Sequence, residues 1–149
     1  MHKSGRIAEF LLYLSTREGR PITPMQLLKL AYISHGWMLG LYGKPLTCEA
    51  AEAWEYGPVL PSLYHQFKRF KGSCITHNHA FAPADFDSQE SSIMTQVWDA
   101  YSGYTGIQLS ALTHKPGTPW DITRRDSGAG AVIPNDLIAE HYRKLAQHG

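Results

Sequence analysis

A chain of 149 residues is long enough for one domain with a sizeable core, and its 43% hydrophobic and 11% aromatic content excludes a disordered polypeptide. With 14 basic residues against 13 acidic ones, the net charge of +1 gives no whole-chain electrostatic drive toward nucleic acid or an anionic membrane. Two cysteines make no disulfide framework, and no apolar run approaches ~18 residues, so a cytoplasmic protein with reduced thiols and no membrane partner is expected.

The N-terminal Met1–Arg6 lacks the apolar run of a signal peptide. Ile7 to Ser15 is predicted as the first helix, with Ile7, Phe10, Leu11 and Leu14 on one stripe. After a charged connector, Thr23 suits an N-cap and Pro24 the first helical position, where its missing N–H does no harm. From there Leu27, Leu30, Ala31, Trp37, Met38 and Leu41 recur at helical spacing, with Leu28, Tyr32, His35, Leu39 and Tyr42 on an adjacent face. A helix apolar around most of its circumference belongs inside a domain. Gly36 and Gly40 weaken that helix, which marks a close approach of another backbone. Gly43 ends it, with Pro45 beyond.

Ala51 to Tyr56 reads as a small β element, a hairpin associated with Ile75. Tyr56-Gly57-Pro58-Val59 must turn, because the residue before a proline is pushed out of the α region. Pro61 opens a helix to about Phe70, carrying Leu63, Tyr64, Phe67 and Phe70. Gly72 to Glu90 reads as loop, apart from a candidate strand at Ser73–Thr76. Helices over Glu90–Tyr104 and Ile107–His114 follow, then a shaped loop from Lys115 to Trp120 and a mobile loop over Arg124–Ala131. Ile133-Pro134 opens a terminal helix with Leu137, Ile138, His141, Tyr142 and Leu145 inward. The expected fold is mainly α (α+β): five or six helices around a central buried helix, with a small β element, in one domain spanning 1–149.

The constellations that could carry chemistry are weak. Cys74, His77 and His79, with Cys48, offer metal ligands, but no CxxC or HExxH spacing is present and two buried free thiols are the default. Either cysteine with His114 and an aspartate could be drawn as a triad, yet no nucleophile motif or phosphate-cradling glycine loop supports an enzyme. The opening of the Thr23 helix resembles the start of a helix-turn-helix, which makes a DNA-binding regulator the alternative function. A recognition helix must show polar and basic side chains to the groove, and this one shows Lys29 and His35 among leucines and aromatics. Lys29 must either snorkel or meet an acceptor, and Glu52 and Glu55 are the expected partners. Trp54, Tyr56, Pro58 and Val59, with Tyr64, form an anchor for another protein, or else Trp54 and Tyr56 plug the domain's own core beside Gly36 and Gly40. Trp120 and His114 carry the same two readings.

Thr23 to Tyr32 (TPMQLLKLAY), then Ala53 to Val59 (AWEYGPV), Tyr64, Leu109 to His114 (LSALTH) and Pro119-Trp120 together resemble the Panacea antitoxin domain, also called SocA-like or phage-associated GepA-like. The resemblance spans roughly Ile7 to Tyr142. It implies the antitoxin of a type II toxin–antitoxin pair, carried on a phage or mobile element and acting without enzymatic chemistry or a cofactor. The implied partners are a cognate toxin and, in one branch of the family, a cytoplasmic ATP-dependent protease to which the antitoxin delivers that toxin. Positions carried over from the pattern are Lys29, Tyr32, Trp54, Tyr56, Gly57, Pro58, Val59, Tyr64, His114 and Trp120. No separate DNA-binding region and no long disordered tail is read, so a grip made by the folded surface is expected.

Overall fold

Capping chemistry sets most of the helix boundaries in the computed structural model, which describes residues 1–76 and 85–148. The central helix α2 runs Pro24–Tyr42; Thr23 Oγ1 accepts from Gln26 N, and the Gln26 side chain accepts from Thr23 N at 2.9 Å. Gly43 closes it with φ +66°. The same reciprocal cap starts α4 (Ser88–Tyr101) at Asp87 and Glu90, and α5 (Gly106–Thr113) at Thr105 and Gln108. Helix α1 (Ser4–Glu18) is three residues longer at each end than the predicted Ile7–Ser15, and Pro61 opens α3 (Pro61–Phe67), which tightens into a 3₁₀ turn at Lys68–Phe70.

Two segments depart from expectation. Arg124 to Ser127 belongs to a helix, α6 (Pro119–Ser127), so Trp120 sits in its first turn rather than at the end of a loop. Thr118 caps it and Pro119 occupies its first position, the signal that also marks α2. Helix α6 raises the number of α-helices to seven among the described residues. Ser73–Thr76 forms no strand; Ile75 N instead donates to Ile22 O at 2.8 Å. The sheet is completed by β3 (Val132–Ile133), which pairs with β1 (Ala51–Trp54) on the side opposite β2 (Gly57–Val59), in the order β2-β1-β3 and antiparallel throughout. Glu52 lies across from Val59 and Trp54 from Gly57.

Helix α2 is buried along most of its length and packs against α1, α4, α5 and the terminal helix α7 (Asn135–His148). The close approach marked by its two glycines is made by α7. A Cβ on Gly36 would lie 2.2 Å from the Tyr142 ring, and one on Gly40 would lie 2.9 Å from Arg143 N. Tyr142 therefore occupies the place that Trp54 and Tyr56 would take as core plugs. Beyond Gly40 the helix leaves the core, and Leu41 and Tyr42 are exposed rather than inward. Tyr104 and Leu145 are likewise exposed, while Ile138 and Tyr142 hold α7 down. His35, fully buried, ties three elements: Nδ1 accepts from Leu46 N at 3.1 Å and Thr47 N at 3.4 Å, and Nε2 donates to Asn135 Oδ1 at 3.2 Å.

Candidate functional site

The hairpin of β1 and β2 is held by its backbone. Four of its carbonyl oxygens are received by side chains from three helices. Lys29 Nζ of α2 donates to Pro58 O at 2.8 Å, and Ser110 Oγ of α5 donates to Tyr56 O. From α6, Trp120 Nε1 donates to Trp54 O at 2.6 Å and Arg124 donates to Ala53 O at 3.0 Å. His114 extends the cluster, with Nδ1 3.3 Å from Ser110 Oγ and its ring 5.2 Å from that of Trp120. Because the anchors grip carbonyls, the side chains at the tip, Glu55 and Tyr56, are left free to face outward, while Ala51, Ala53, Pro58 and Val59 are buried.

Lys29 meets an acceptor, as expected, but not the acceptor expected. It does not snorkel, being 2% exposed, and neither Glu52 nor Glu55 pairs with it. Glu52 instead accepts from Trp54 Nε1 at 2.9 Å, and Glu55 is exposed. Burial lowers the Lys29 amine from its ordinary value of 10.5 to about 7. The turn residues make room for it: Gly57 adopts φ +115°, and a Cβ there would come within 2.9 Å of Nζ. The order Lys29 … Gly57-Pro58 is thus one device, a buried amine under a glycine whose next carbonyl receives it.

Above this frame the exposed aromatics collect. Tyr56 is 66% exposed and Tyr64 37%, and the Trp54 ring meets Tyr64 edge-on at 5.1 Å. Trp54, Glu55, Tyr56, Val59 and Tyr64 face Met25, Leu28 and Lys29 across a cavity of about 260 Å³. The predicted positions therefore separate by role. Trp54, Tyr56 and Tyr64 form an outward surface; Lys29, Gly57, Pro58, Val59, His114 and Trp120 lie in or against the anchoring frame. Tyr32 joins neither group; it is buried, its hydroxyl has no hydrogen-bond partner among the described residues, and it lies close enough to Tyr142 to help raise that residue's hydroxyl pKa.

Two anchors, Ser110 and Arg124, carry no sequence signal of that role. Ser110 lies within a recognisable motif, but nothing local says that a helical serine will find a carbonyl 54 positions away. Arg124 is masked by the loop-like composition of its segment. Cys48 and Cys74, expected to be buried, are both exposed. His77 and His79 lie outside the described residues, and no group of three or more metal-competent side chains occurs among those described.

Residues 27–121 match the Antitoxin SocA-like, Panacea domain family. The chain belongs to that family. The matched span begins at the α2 stripe and ends just past Trp120, so it contains the hairpin and all of its anchors except Arg124. The chain is also 29% identical over 153 residues to a protein named Antitoxin SocA from Caulobacter vibrioides (strain NA1000 / CB15N), covering 92% of this chain and 80% of that relative. No solved structure gives a significant match.

Proposed function

We propose that this SocA-like chain is the protein-binding antitoxin of a type II toxin–antitoxin pair, neutralising a cognate toxin by direct complex formation through the hairpin face. The observation that carries the reading is a turn whose backbone is fixed by four side-chain hydrogen bonds while Tyr56 stands 66% exposed at its tip. A pre-ordered aromatic anchor loses little conformational freedom on binding, which is what a tight protein interface needs. Trp54, Tyr56 and Tyr64 make the contact; Lys29, Gly57, Pro58, Val59, His114 and Trp120 hold the platform. The role is non-enzymatic and cytoplasmic, and no helix among the described residues is long and apolar enough to cross a membrane. A DNA-reading role for α2 finds no support, since Lys29 lies buried under the hairpin rather than turned toward a groove.

The test is expression of the adjacent open reading frame with and without this chain, scoring growth and co-purification. Growth arrest relieved by this chain, with a stable complex, supports the reading; a harmless neighbour that does not co-purify overturns it. Rescue that persists in a host lacking its ATP-dependent proteases separates direct neutralisation from delivery to a protease.

A further inference from the structure

The cavity under the hairpin has aromatic walls and an unpaired carboxylate among its lining residues. Its volume, about 260 Å³, lies below the roughly 300–1,000 Å³ of ordinary small-molecule sites and suits one long side chain. Trp54, Tyr56 and Tyr64 line it together with Met25 and Leu28. The Trp54 and Tyr64 rings stand at 68° to one another with centroids 5.1 Å apart, and Glu52 fixes the indole by accepting from its Nε1 at 2.9 Å. Walls of that kind attract a cation through the ring quadrupoles. Glu55 lines the same cavity, is exposed, and pairs with no basic side chain among the described residues. Arg124, which shares an adjoining cavity with Glu55, is bound instead to Ala53 O and lies over the Trp120 ring.

We infer that this cavity captures an arginine side chain of the partner protein, its guanidinium against the aromatic walls and its charge answered by Glu55. The inference rests on the reading that the hairpin face is where the partner sits. Arginine fits better than lysine, because a planar, weakly hydrated guanidinium stacks on rings and gives up less solvation on entry. Its apolar stem can cover Met25 and Leu28 while the charged head stays with the carboxylate. Lys29 also lines the cavity and is the group that opposes a cation. Its amine, however, is bound to Pro58 O and lies against the turn at Gly57, and neither of those residues lines the cavity. Burial lowers that amine to about 7, so above neutral pH it carries little charge to repel the guest.

The probes are N-acetyl-arginine N-methylamide and its citrulline counterpart, a neutral isostere, titrated into the full chain at pH 8 while the Trp54 indole N–H and Met25 methyl signals are followed by NMR. The arginine probe is expected to shift both signals and to bind about tenfold more tightly than the citrulline one, the combined factor of ring and carboxylate attraction. Glu55→Gln, a change at an exposed position, is expected to cut that preference to about threefold. Adding Tyr64→Leu should lower it further, with the Tyr142 ring signals showing that each variant is folded. Equal affinity for the two probes in the unmutated chain, binding of neither, or a preference unchanged by both substitutions overturns the inference. A chain that relieves growth arrest but does not prefer the arginine probe loses this inference and keeps the antitoxin reading. A chain that prefers the arginine probe without relieving arrest keeps the cavity and loses the reading.

Discussion

Two regions of this molecule solve the same problem by opposite means. Where α2 meets α7, the backbones approach by removing side chains: Gly36 and Gly40 leave a slot that Tyr142 fills, and the contact is apolar packing. Where α2 meets the hairpin, the long Lys29 side chain reaches across instead, and together with Ser110 of α5 and Trp120 and Arg124 of α6 it catches carbonyl oxygens. The first contact depends on shape and tolerates no added atom. The second depends on donors, is sensitive to proton balance, and constrains the hairpin's own side chains where they are buried, at Gly57 above all, rather than at the exposed tip. A scaffold built the second way can present different outward residues on one fixed turn.

The sharpest way to break the comparison is pH. The Lys29 amine sits near 7 in the folded chain and near 10.5 when unfolded, so between those values the unfolded state holds a proton that the folded state has released. Stability must therefore rise with pH across that window, by roughly 1.4 kcal/mol per unit where the difference is a full proton. Lys29→Met removes that slope, which urea unfolding of both chains at pH 7, 8 and 9 measures directly; equal slopes would refute the buried-amine account. The glycine contact shows no such dependence. Gly40→Ala places a methyl against the Tyr142 side chain and Arg143 N, an overpacking against backbone expected to cost about 3 kcal/mol at every pH. A loss below about 1 kcal/mol would mean that α7 shifts freely.

How much of this can be read from the chain differs between the two regions for the same reason. The slot is legible, because two glycines one turn apart in an otherwise apolar helix cost helix propensity that only a close neighbour repays; the filler, Tyr142, is what the sequence withholds. Helix starts at Thr23-Pro24 and Pro61 are legible from capping chemistry, which is local. The anchors are not. A donor's acceptor is a backbone oxygen, which every residue owns, whereas the acceptors a sequence makes visible are carboxylates, and these are what Lys29 is expected to meet. The glycines of Arg124–Ala131 suggest a loop and outweigh the Thr118-Pro119 cap just upstream, which in fact carries the helix to Ser127. The third strand is likewise expected at Ile75, beside Thr76, whereas Val132–Ile133 qualifies only through its pairing with β1.

Smaller effects separate the anchors from one another. Trp120→Phe keeps an aromatic ring at that position and removes the N–H donated to Trp54 O together with part of the indole that packs against His114 and Arg124. The expected loss is about 1–2 kcal/mol, with faster hydrogen exchange in the hairpin and none in α7. His35 gives a second pH signature in the acid range. Burial, outweighing the bond to Asn135, lowers its pKa below 6.5, and Nδ1 cannot both accept two backbone N–H groups and carry a proton. Stability contributed by the neutral ring is present above the unfolded pKa and is lost as pH falls below 6.5. Following the histidine ring signals by NMR, His35 should stay neutral at a pH where exposed histidines are protonated.

The smallest effect on stability should be the largest on binding. Tyr56 has most of its side chain in solvent, and the bond that fixes its position in the turn runs through its carbonyl to Ser110. Tyr56→Ala leaves that carbonyl untouched, so the stability should change by no more than about 0.5 kcal/mol. If the platform presents an aromatic anchor to the toxin, the same substitution should weaken the complex by roughly 2 kcal/mol or more, read as lost co-purification and lost relief of growth arrest. Ser110→Ala supplies the contrast: it keeps Tyr56 and releases the turn, so affinity should fall through a slower association while the aromatic contact itself survives. A Tyr56→Ala chain that folds, binds and rescues as before would place the partner on another face, and the four carbonyl anchors would then be holding a turn for the fold alone.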